Sequence, residues 1–215
     1  MKQTRPEFIK LCISNEILMF GDFRLKSGRS SPYFFNAGKF SDGLMLGQLA
    51  DHLGAFIVEN LGIDLMLYGP AYKGIPIAAA TAVNISKRCN TAMAYAYNRK
   101  EAKNHGEGGN TVGAPIRGPV VVIDDVITAG TSVHESLEVI SAAGATLRAV
   151  VTILDRQETA DGSTLSTAQI LENELNVPVL SLIRLDDLVQ YLESDPSCRG
   201  HLTAMNAYRE KYGVE

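Results

Sequence analysis

The sequence has few cysteines, no long apolar run and no large excess of charge of either sign. Its three cysteines, Cys12, Cys89 and Cys198, form no CxxC pair and cannot all pair with one another. This usage predicts a cytoplasmic protein, because disulfides are rare in that reducing compartment. The N-terminal residues lack the apolar stretch of a signal peptide, and the longest run without a charged residue, 74–86, is too short to cross a membrane. We therefore expect neither a secreted nor a membrane-embedded protein.

The charge balance and the composition indicate a globular protein that does not bind nucleic acid over its whole surface. A net charge of −4 over 215 residues argues against a surface that binds nucleic acid throughout, but is compatible with a local basic pocket for an anionic small molecule. The hydrophobic fraction of 46% and the charged fraction of 20% are typical of globular proteins and exclude a mainly disordered chain. With no internal repeat or proline-rich linker, this length predicts a single domain over residues 1–215.

Short apolar runs rich in β-branched residues alternate with longer segments of helical spacing. The predicted strands cover residues 64–68, 91–97, 119–123, 150–154 and 179–183, and the predicted helices cover 44–61, 75–88 and 132–143. This alternation predicts an α/β fold with a mostly parallel central sheet flanked by helices. Ligands of such sheets bind at the carboxyl ends of strands, where the strand order reverses. We therefore expect the chemistry in the loops after Tyr68, Tyr97 and Ile123.

The loop after the strand at 119–123 is the most informative segment. Two adjacent carboxylates, Asp124 and Asp125, end the strand, and a helix is predicted to begin at about Ser132. Backbone N–H groups at a helix start are unpaired and carry partial positive charge, and Gly130 allows a ligand to approach the backbone closely. Three hydroxyl donors accompany them: Thr128, Thr131 and Ser132. Together these features predict a phosphate cradle.

The two acids need a role of their own beside a phosphate site. Adjacent carboxylates accept hydrogen bonds from vicinal sugar hydroxyls or hold Mg²⁺ through water, so the whole segment predicts a site for a ribose phosphate. It is not a Walker A loop, because no lysine follows Gly130. The simpler interpretation, a capped helix start, accounts for Ser132 and one acid but not for both acids, Gly130 and three hydroxyls together.

Residues 120–132 (VVVIDDVITAGTS) resemble the phosphoribosyl pyrophosphate (PRPP) motif of the type I phosphoribosyltransferases. Residues 25–36, 69–76 and 98–108 resemble, in the same order, segments of the orotate phosphoribosyltransferases of the stand-alone bacterial type. The resemblance covers about residues 4–156, and no motif is assigned from Gln157 onward. It implies the type I phosphoribosyltransferase fold, with a small N-terminal hood over about residues 1–40 and the core and C-terminal elements over 41–215.

The resemblance also implies the activity. The enzyme would transfer the phosphoribosyl group of PRPP to orotate, giving orotidine 5′-monophosphate and pyrophosphate in de novo pyrimidine biosynthesis. Mg²⁺ would assist as a cofactor held mainly by PRPP and water, with no direct protein ligand.

A basic segment follows the predicted strand at 91–97. Arg99, Lys100 and Lys103 put three cations within five positions, and His105 and several glycines follow. A solvated surface loop would explain this composition. Its position at the predicted ligand edge instead favours a mobile basic lid that neutralises a departing pyrophosphate and excludes water. The resemblance implies that this lid reaches into the active site of the neighbouring subunit of a homodimer, with His105 either catalytic or a lid contact.

The resemblance assigns the remaining roles residue by residue. The catalytic candidates are Lys73, Arg99, Lys103, His105, Asp124 and Asp125. The PRPP-binding candidates are Lys26, Tyr72, Lys73, Arg99, Lys100, Lys103, His105, Asp124, Asp125, Val126, Ile127, Thr128, Ala129, Gly130, Thr131 and Ser132. The orotate-binding candidates are Phe34, Phe35, Thr128 and Arg156.

Three of the four orotate-binding assignments have simpler alternatives. Arginine suits a planar carboxylate because it donates in a bidentate manner; the alternative for Arg156 is a surface salt bridge with Asp155 or Glu158. For Phe34 and Phe35, the alternative is an N-terminal hairpin with at least one of the two rings in the core.

Two alternative functions stay open at this point. One is a phosphoribosyltransferase for another base, such as a purine, which would need no carboxylate clamp at Arg156. The other is a regulator that senses PRPP and binds nucleic acid. The second would need a DNA-binding module or a basic face, and the negative net charge argues against it. The expected partners are thus orotate and PRPP, with no nucleic acid and no membrane.

Overall fold

The computed structural model describes residues 5–25, 28–103, 109–127 and 129–214, and for residues 100–103 and 109 it describes the backbone alone. The helices within this part of the chain are α1 (Arg5–Ser14), α2 (Gly43–Leu61), α3 (Gly74–Cys89), α4 (Thr131–Ala142), α5 (Thr167–Leu175), α6 (Leu185–Ser194) and α7 (Leu202–Tyr212). The strands are β1 (Leu18–Arg24), β2 (Ser30–Phe35), β3 (Met66–Gly69), β4 (Tyr95–Lys103), β5 (Gly109–Gly113), β6 (Pro119–Val126), β7 (Thr146–Asp155) and β8 (Val179–Arg184).

Six strands form the central sheet, in the order β5-β4-β3-β6-β7-β8. All neighbouring pairs are parallel except β4 and β5, which are antiparallel. The chain moves outward from β3 to β4 and later returns to β6 on the other side of β3, so the strand order reverses between β3 and β6. This reversal is where α/β sheets bind their ligands. The predicted α/β fold with a mostly parallel sheet is confirmed.

Both faces of the sheet are covered by helices, as the apolar runs predict. In β6, Val120 and Val122 belong to one buried cluster and Val121 and Ile123 to the other, because successive side chains of a strand point to opposite faces. Helices α4 and α5 contribute to the first cluster. The second takes residues from α1, α2, α3, α6, α7 and the β1–β2 hairpin. A strand buried on both sides has no polar alternation, which explains the uninterrupted PVVVI sequence.

The β1–β2 pair forms an antiparallel hairpin at the place predicted for the hood. Along β2, Ser31, Tyr33 and Phe35 are buried, whereas Phe34 lies on the opposite face and is only partly buried. The Phe34 ring stacks on Phe23, with 5.6 Å between the ring centroids. The expectation that at least one of the two phenylalanines is in the core is confirmed for Phe35.

The fourth strand differs from its prediction. It was expected at 91–97 and is found at Tyr95–Lys103. Residues before Tyr95 complete the end of α3 instead: Asn90 adopts a left-handed conformation, and the backbone N–H groups of Thr91 and Met93 bond to the carbonyl and hydroxyl oxygens of Ser86. The strand continues through charged residues because it lies near the sheet edge beside β5, where polar side chains have access to water.

The C-terminal region contains helices that the sequence analysis did not assign. The strand expected at 179–183 is confirmed as β8, whereas α5, α6 and α7 lie in a region without a recognised motif. Helix α7 returns to the hood, where Tyr208 meets the Tyr33 ring edge-on at 6.1 Å. None of the helices in the described ranges has the length and apolar character required to cross a bilayer.

Candidate active site

Loops at the carboxyl ends of β3 and β6 bring a lysine and two carboxylates together. Lys73 Nζ lies 2.5 Å from Asp125 Oδ2, and Asp124 precedes Asp125 at the end of β6. The Lys73 side chain is 61% exposed, whereas that of Asp125 is 15% exposed. The cation therefore reaches from solvent to a carboxylate at the point where the strand order reverses.

Close backbone packing sets the path of the loop that carries Lys73. A Cβ at Gly69 would collide with the Gly74 carbonyl, and one at Gly74 would lie 2.8 Å from the Ile123 carbonyl oxygen. Glycine at both positions lets the loop lie against the end of β6. The loop is also tied to β4, because the Ala71 N–H donates to Asn98 Oδ1 at 2.7 Å. The peptide bond between Ala71 and Tyr72 is cis, and the Tyr72 side chain is 68% exposed.

Asp124 occupies a more buried position than its neighbour. Its Oδ2 accepts a hydrogen bond from Ser132 Oγ at 2.8 Å, and its Oδ1 accepts one from the Asp125 N–H at 2.9 Å. Burial raises the pKa of Asp124, and these two hydrogen bonds oppose that shift by favouring the ionised form. Asp124 is thus a desolvated acceptor held in place by the helix that follows it.

Helix α4 begins at Thr131, a short loop after the two acids, with Gly130 as its N-cap. Gly130 is buried with φ at 76°, and its carbonyl accepts the N–H groups of Val133 and His134 at 3.0 and 3.1 Å. The simpler interpretation of Ser132 as the helix cap is wrong, because Ser132 lies within the first turn and donates to Asp124. The first N–H groups of a helix have no intrahelical partner and suit an anion. Of the predicted cradle, Thr128 lies outside the described residues.

Arg156 lies one residue beyond β7, next to the strand that carries the acids. The register pairs Val126 of β6 with Leu154 of β7. Arg156 Nε donates to Glu158 Oε1 at 2.5 Å, and Nη2 donates to Ser31 Oγ at 3.0 Å and to the Tyr208 hydroxyl at 3.1 Å. Its guanidinium also lies over the Tyr33 ring, 4.3 Å from the centroid.

The surroundings of Arg156 keep it charged although it is largely buried. Burial alone would lower the pKa of Arg156, but the tyrosines and the Glu158 carboxylate around it raise the pKa overall. The salt bridge with Glu158 that the sequence suggested is present, but its side chains are only 15% and 14% exposed, so it is not a surface pair. The Nε–Nη2 edge is already bonded, and Nη1 has no hydrogen-bond partner among the residues that the structure describes, so Nη1 is the nitrogen to be offered to a ligand.

The basic segment begins within β4 rather than after it. Arg99 is partly buried, and the backbone of Lys100 and Lys103 belongs to the same strand. The prediction of a loop from residue 99 onward is therefore wrong for residues 99–103, because β5 pairs with the end of β4. Lys26 and His105 lie outside the described residues.

The donor set fits a magnesium ion held through water and substrate. Across the described residues, no three histidine, cysteine or acidic side chains are grouped closely enough to bind a metal ion by themselves. Asp124 and Asp125 supply carboxylate oxygens, which Mg²⁺ prefers, while Mg²⁺ usually keeps several waters and binds through one or two carboxylates plus substrate phosphates.

Comparison with known proteins identifies the family. Residues 38–177 match the phosphoribosyl transferase domain model. Orotate phosphoribosyltransferases from Yersinia enterocolitica and Shigella flexneri are 48% and 50% identical over 215 residues, which is the full length of both chains in each alignment. The chain belongs to the orotate phosphoribosyltransferase family. The crystal structure of the Francisella tularensis orotate phosphoribosyltransferase agrees, with a TM-score of 0.85, 39% identity, and coverage of 96% of this chain and 99% of that one.

The similarity to orotate phosphoribosyltransferases extends beyond the motifs found in the sequence. It includes residues 157–215, for which no motif was recognised. The predicted family, the type I phosphoribosyltransferase fold and the enzyme class are confirmed.

Sequence reasoning missed Asn98, Arg29 and Tyr208, each of which bonds to a loop at the site through a contact distant in sequence. Only Asn98 had a local signal, since it lies at the end of a predicted strand. Nothing near Arg29 or Tyr208 in the sequence indicates their partners.

Proposed function

We propose that this chain transfers the phosphoribosyl group of PRPP to orotate, forming orotidine 5′-monophosphate and pyrophosphate. The observation that carries the proposal is the grouping of Lys73, Asp124 and Asp125 beside the start of α4, with the charged Arg156 at the end of the adjacent strand. These groups suit the two ends of the reaction: a ribose phosphate on one side and a carboxylate-bearing base on the other.

In this reaction the protein stabilises separated charges and forms no covalent intermediate. Breaking the bond between ribose C1 and the pyrophosphate oxygen leaves positive charge on the ring and negative charge on the leaving group. In this proposal Lys73, which pairs with Asp125 in the free protein, leaves that carboxylate and binds the pyrophosphate. Asp124 and Asp125 then accept the ribose hydroxyls, and the start of α4 takes the 5′-phosphate. Mg²⁺, near Asp124 and Asp125, would supply Lewis-acid stabilisation of the phosphate oxygens.

The base lies, in this proposal, between the hood and the end of β7. Phe34 presents a partly buried ring on the hood face opposite the core. Arg156 supplies a guanidinium whose charge is maintained inside the protein, and it receives the orotate carboxylate through Nη1. A purine would offer no carboxylate to this buried cation.

An ultraviolet assay tests the function directly. Purified protein is mixed with PRPP and orotate, and in parallel with adenine, hypoxanthine or uracil, each with and without Mg²⁺. Loss of orotate absorbance that requires both PRPP and Mg²⁺ is expected, and Lys73→Gln should slow it. Turnover with another base but not with orotate would contradict the base-side assignment. PRPP binding without any turnover would favour the sensor.

We also propose that Arg99, Lys100, Lys103 and His105 belong to a lid shared across a cytoplasmic homodimer. The support is the run of cations at the end of β4, whose Asn98 contacts the Lys73 loop, and the exposed apolar side chains of Leu44 and Val83 on α2 and α3. Mixing the Lys103→Ala and Asp125→Ala variants tests the sharing. A lid donated to the partner's site restores one intact site per heterodimer, whereas a lid that serves its own subunit restores none.

A further inference from the structure

Glu158 gathers hydrogen bonds from three separate parts of the chain. Its Oε1 accepts from Arg156 Nε at 2.5 Å and from the Tyr208 hydroxyl at 2.6 Å, and its Oε2 accepts from Arg29 Nη1 at 3.2 Å. Arg29 comes from the hood and Tyr208 from α7. The carboxylate therefore joins the hood, the loop after β7 and the C-terminal helix at a single point.

The same contacts fix the rotation of the Arg156 guanidinium. Glu158 and Tyr208 bind the Nε–Nη2 edge, and Ser31 takes the other Nη2 hydrogen. Tyr208 donates to the carboxylate and accepts from the arginine, which closes a three-membered ring of hydrogen bonds. Hydrogen bonds to charged groups are the stronger ones, and the planar fork has a fixed geometry, so the plane of the guanidinium is set.

The C-terminal segment holds this loop from the other side. The Thr159 N–H donates to the Tyr212 carbonyl at 2.8 Å, and the Val214 N–H donates to the Gln157 carbonyl at 2.9 Å. Arg29 lies over the Tyr212 ring, 5.1 Å from its centroid. The loop after β7 is thus paired with the chain that follows α7 and is not free to shift by itself.

Stability alone is a weak reason for this arrangement. A buried ion pair recovers its desolvation cost only with good geometry, and well-packed apolar residues often serve as well. What the arrangement does supply is a fixed orientation for a buried cation. Support of this kind for a ligand-binding side chain matters because misplacement by about 1 Å can cost a factor of about a hundred in rate.

We propose that Glu158 and Tyr208 are positioning residues for the base, holding the Arg156 guanidinium so that Nη1 receives the carboxylate of the substrate. The inference rests on the proposed function, in which Arg156 contacts orotate. It assigns to α7 an indirect part in the choice of base, through the orientation of Arg156.

Two conservative variants test the proposal in the full-length protein. Tyr208→Phe keeps the ring and removes the hydroxyl, and Glu158→Gln keeps the shape and removes the charge. Each should raise the KM for orotate about tenfold while the KM for PRPP stays within about twofold, because only the base end of the site is disturbed. The matched control is Tyr191→Phe, which removes a tyrosine hydrogen bond from α6 to Asp195, the residue after that helix. It removes none of the hydrogen bonds of Arg156 or Glu158 and should leave both KM values unchanged.

The Arg156→Lys variant separates the two levels of the argument. If Arg156→Lys leaves the KM for orotate unchanged, the proposed contact with the base is wrong and the inference falls with it. If Arg156→Lys raises this KM but Tyr208→Phe and Glu158→Gln do not, only the positioning role is overturned. When both are correct, adding Tyr208→Phe to Arg156→Lys has little further effect on the KM for orotate, because the two changes act through one guanidinium. A loss of thermal stability without a change in KM would show a structural role and overturn the proposal.

Discussion

Asp124 carries a charge that the fold buries and the proposed reaction needs. Because burial raises its pKa above that of the unfolded chain, the native state binds the proton more tightly. This contribution to stability increases as the pH falls through the raised pKa toward the ordinary value, and at neutral pH the ionised form costs stability. At neutral pH, the buried charge of Asp124 therefore lowers the free energy of unfolding of the free protein.

We predict that Asp124→Asn is at least as stable as the wild type at neutral pH and yet about a hundredfold slower. The amide can accept from the Asp125 N–H and donate to Ser132 Oγ, so the hydrogen bonds are kept while the buried charge is removed. Thermal unfolding at pH 7 and pH 5, together with the turnover rate, checks this. The comparison is Asp125→Asn, which loses the pair with the exposed Lys73 and removes a like charge from beside Asp124. A clear drop in the stability of Asp124→Asn would refute the argument.

Gly130 permits both the left-handed backbone and the close packing at the phosphate cradle. A Cβ there would lie 3.1 Å from two methyl carbons of Leu171, at φ of 76°. We predict that Gly130→Ala loses about 1 to 2 kcal/mol of stability and raises the KM for PRPP. Urea unfolding and steady-state kinetics measure the two effects.

The matched control for that variant is Gly144→Ala. Gly144 has φ of 72°, but a Cβ would meet nothing within 4 Å. It should show the backbone cost of about 1 kcal/mol and no change in the KM for PRPP. An equal change of KM in both variants would mean that the packing against Leu171 does not shape the cradle.

At the scale of elements, the two phenylalanines of the hood have different roles: Phe35 stabilises the core, and Phe34 is proposed to contact the base. Phe35 is 9% exposed in the core, whereas Phe34 stacks on Phe23 on the other face. We predict that Phe35→Ala loses about 3 to 5 kcal/mol of unfolding free energy, and that Phe34→Ala loses about 1 kcal/mol but raises the KM for orotate. Denaturant unfolding and kinetics on both variants separate these effects. A larger stability loss for Phe34→Ala would reverse the assignment of the two faces.

Elements with strong local signals were predicted from the sequence, and those defined by distant contacts were not. The strand β6, its two acids and α4 are encoded within a few consecutive residues, so the strand, the helix and the place of the acids between them were predicted correctly. The strand β4 was misplaced because the apolar residues before Tyr95 serve the end of α3, and only the pairing with β5 explains the charged strand beyond. The surroundings of Arg156 come from Ser31 and Tyr208, which no local pattern links to it.

For the molecule as a whole, α1, the hood, α6 and α7 pack on one face of the sheet. Arg5 of α1 pairs with Asp187 of α6 at 3.0 Å, and the hood contacts α7 through Tyr33 and Tyr208. The core on this face includes residues of the hood, the sheet and α7 together. Hood and core therefore share one buried cluster, and a hood that unfolds by itself would expose that cluster to water.

We predict that residues 1–215 unfold as one cooperative unit. Met205 on α7 is fully buried in the shared core, so Met205→Ala should lower the stability by about 2 to 5 kcal/mol and shift the whole unfolding curve. The chain has no tryptophan, and Tyr33 and Tyr208 lie at the contact between hood and α7, so near-ultraviolet circular dichroism includes a signal from that contact. Its transition in urea should coincide with the far-ultraviolet transition of the helices in both proteins. An earlier near-ultraviolet transition would show that the hood and α7 separate from the sheet first, and that the positioning of Arg156 is lost before the fold is.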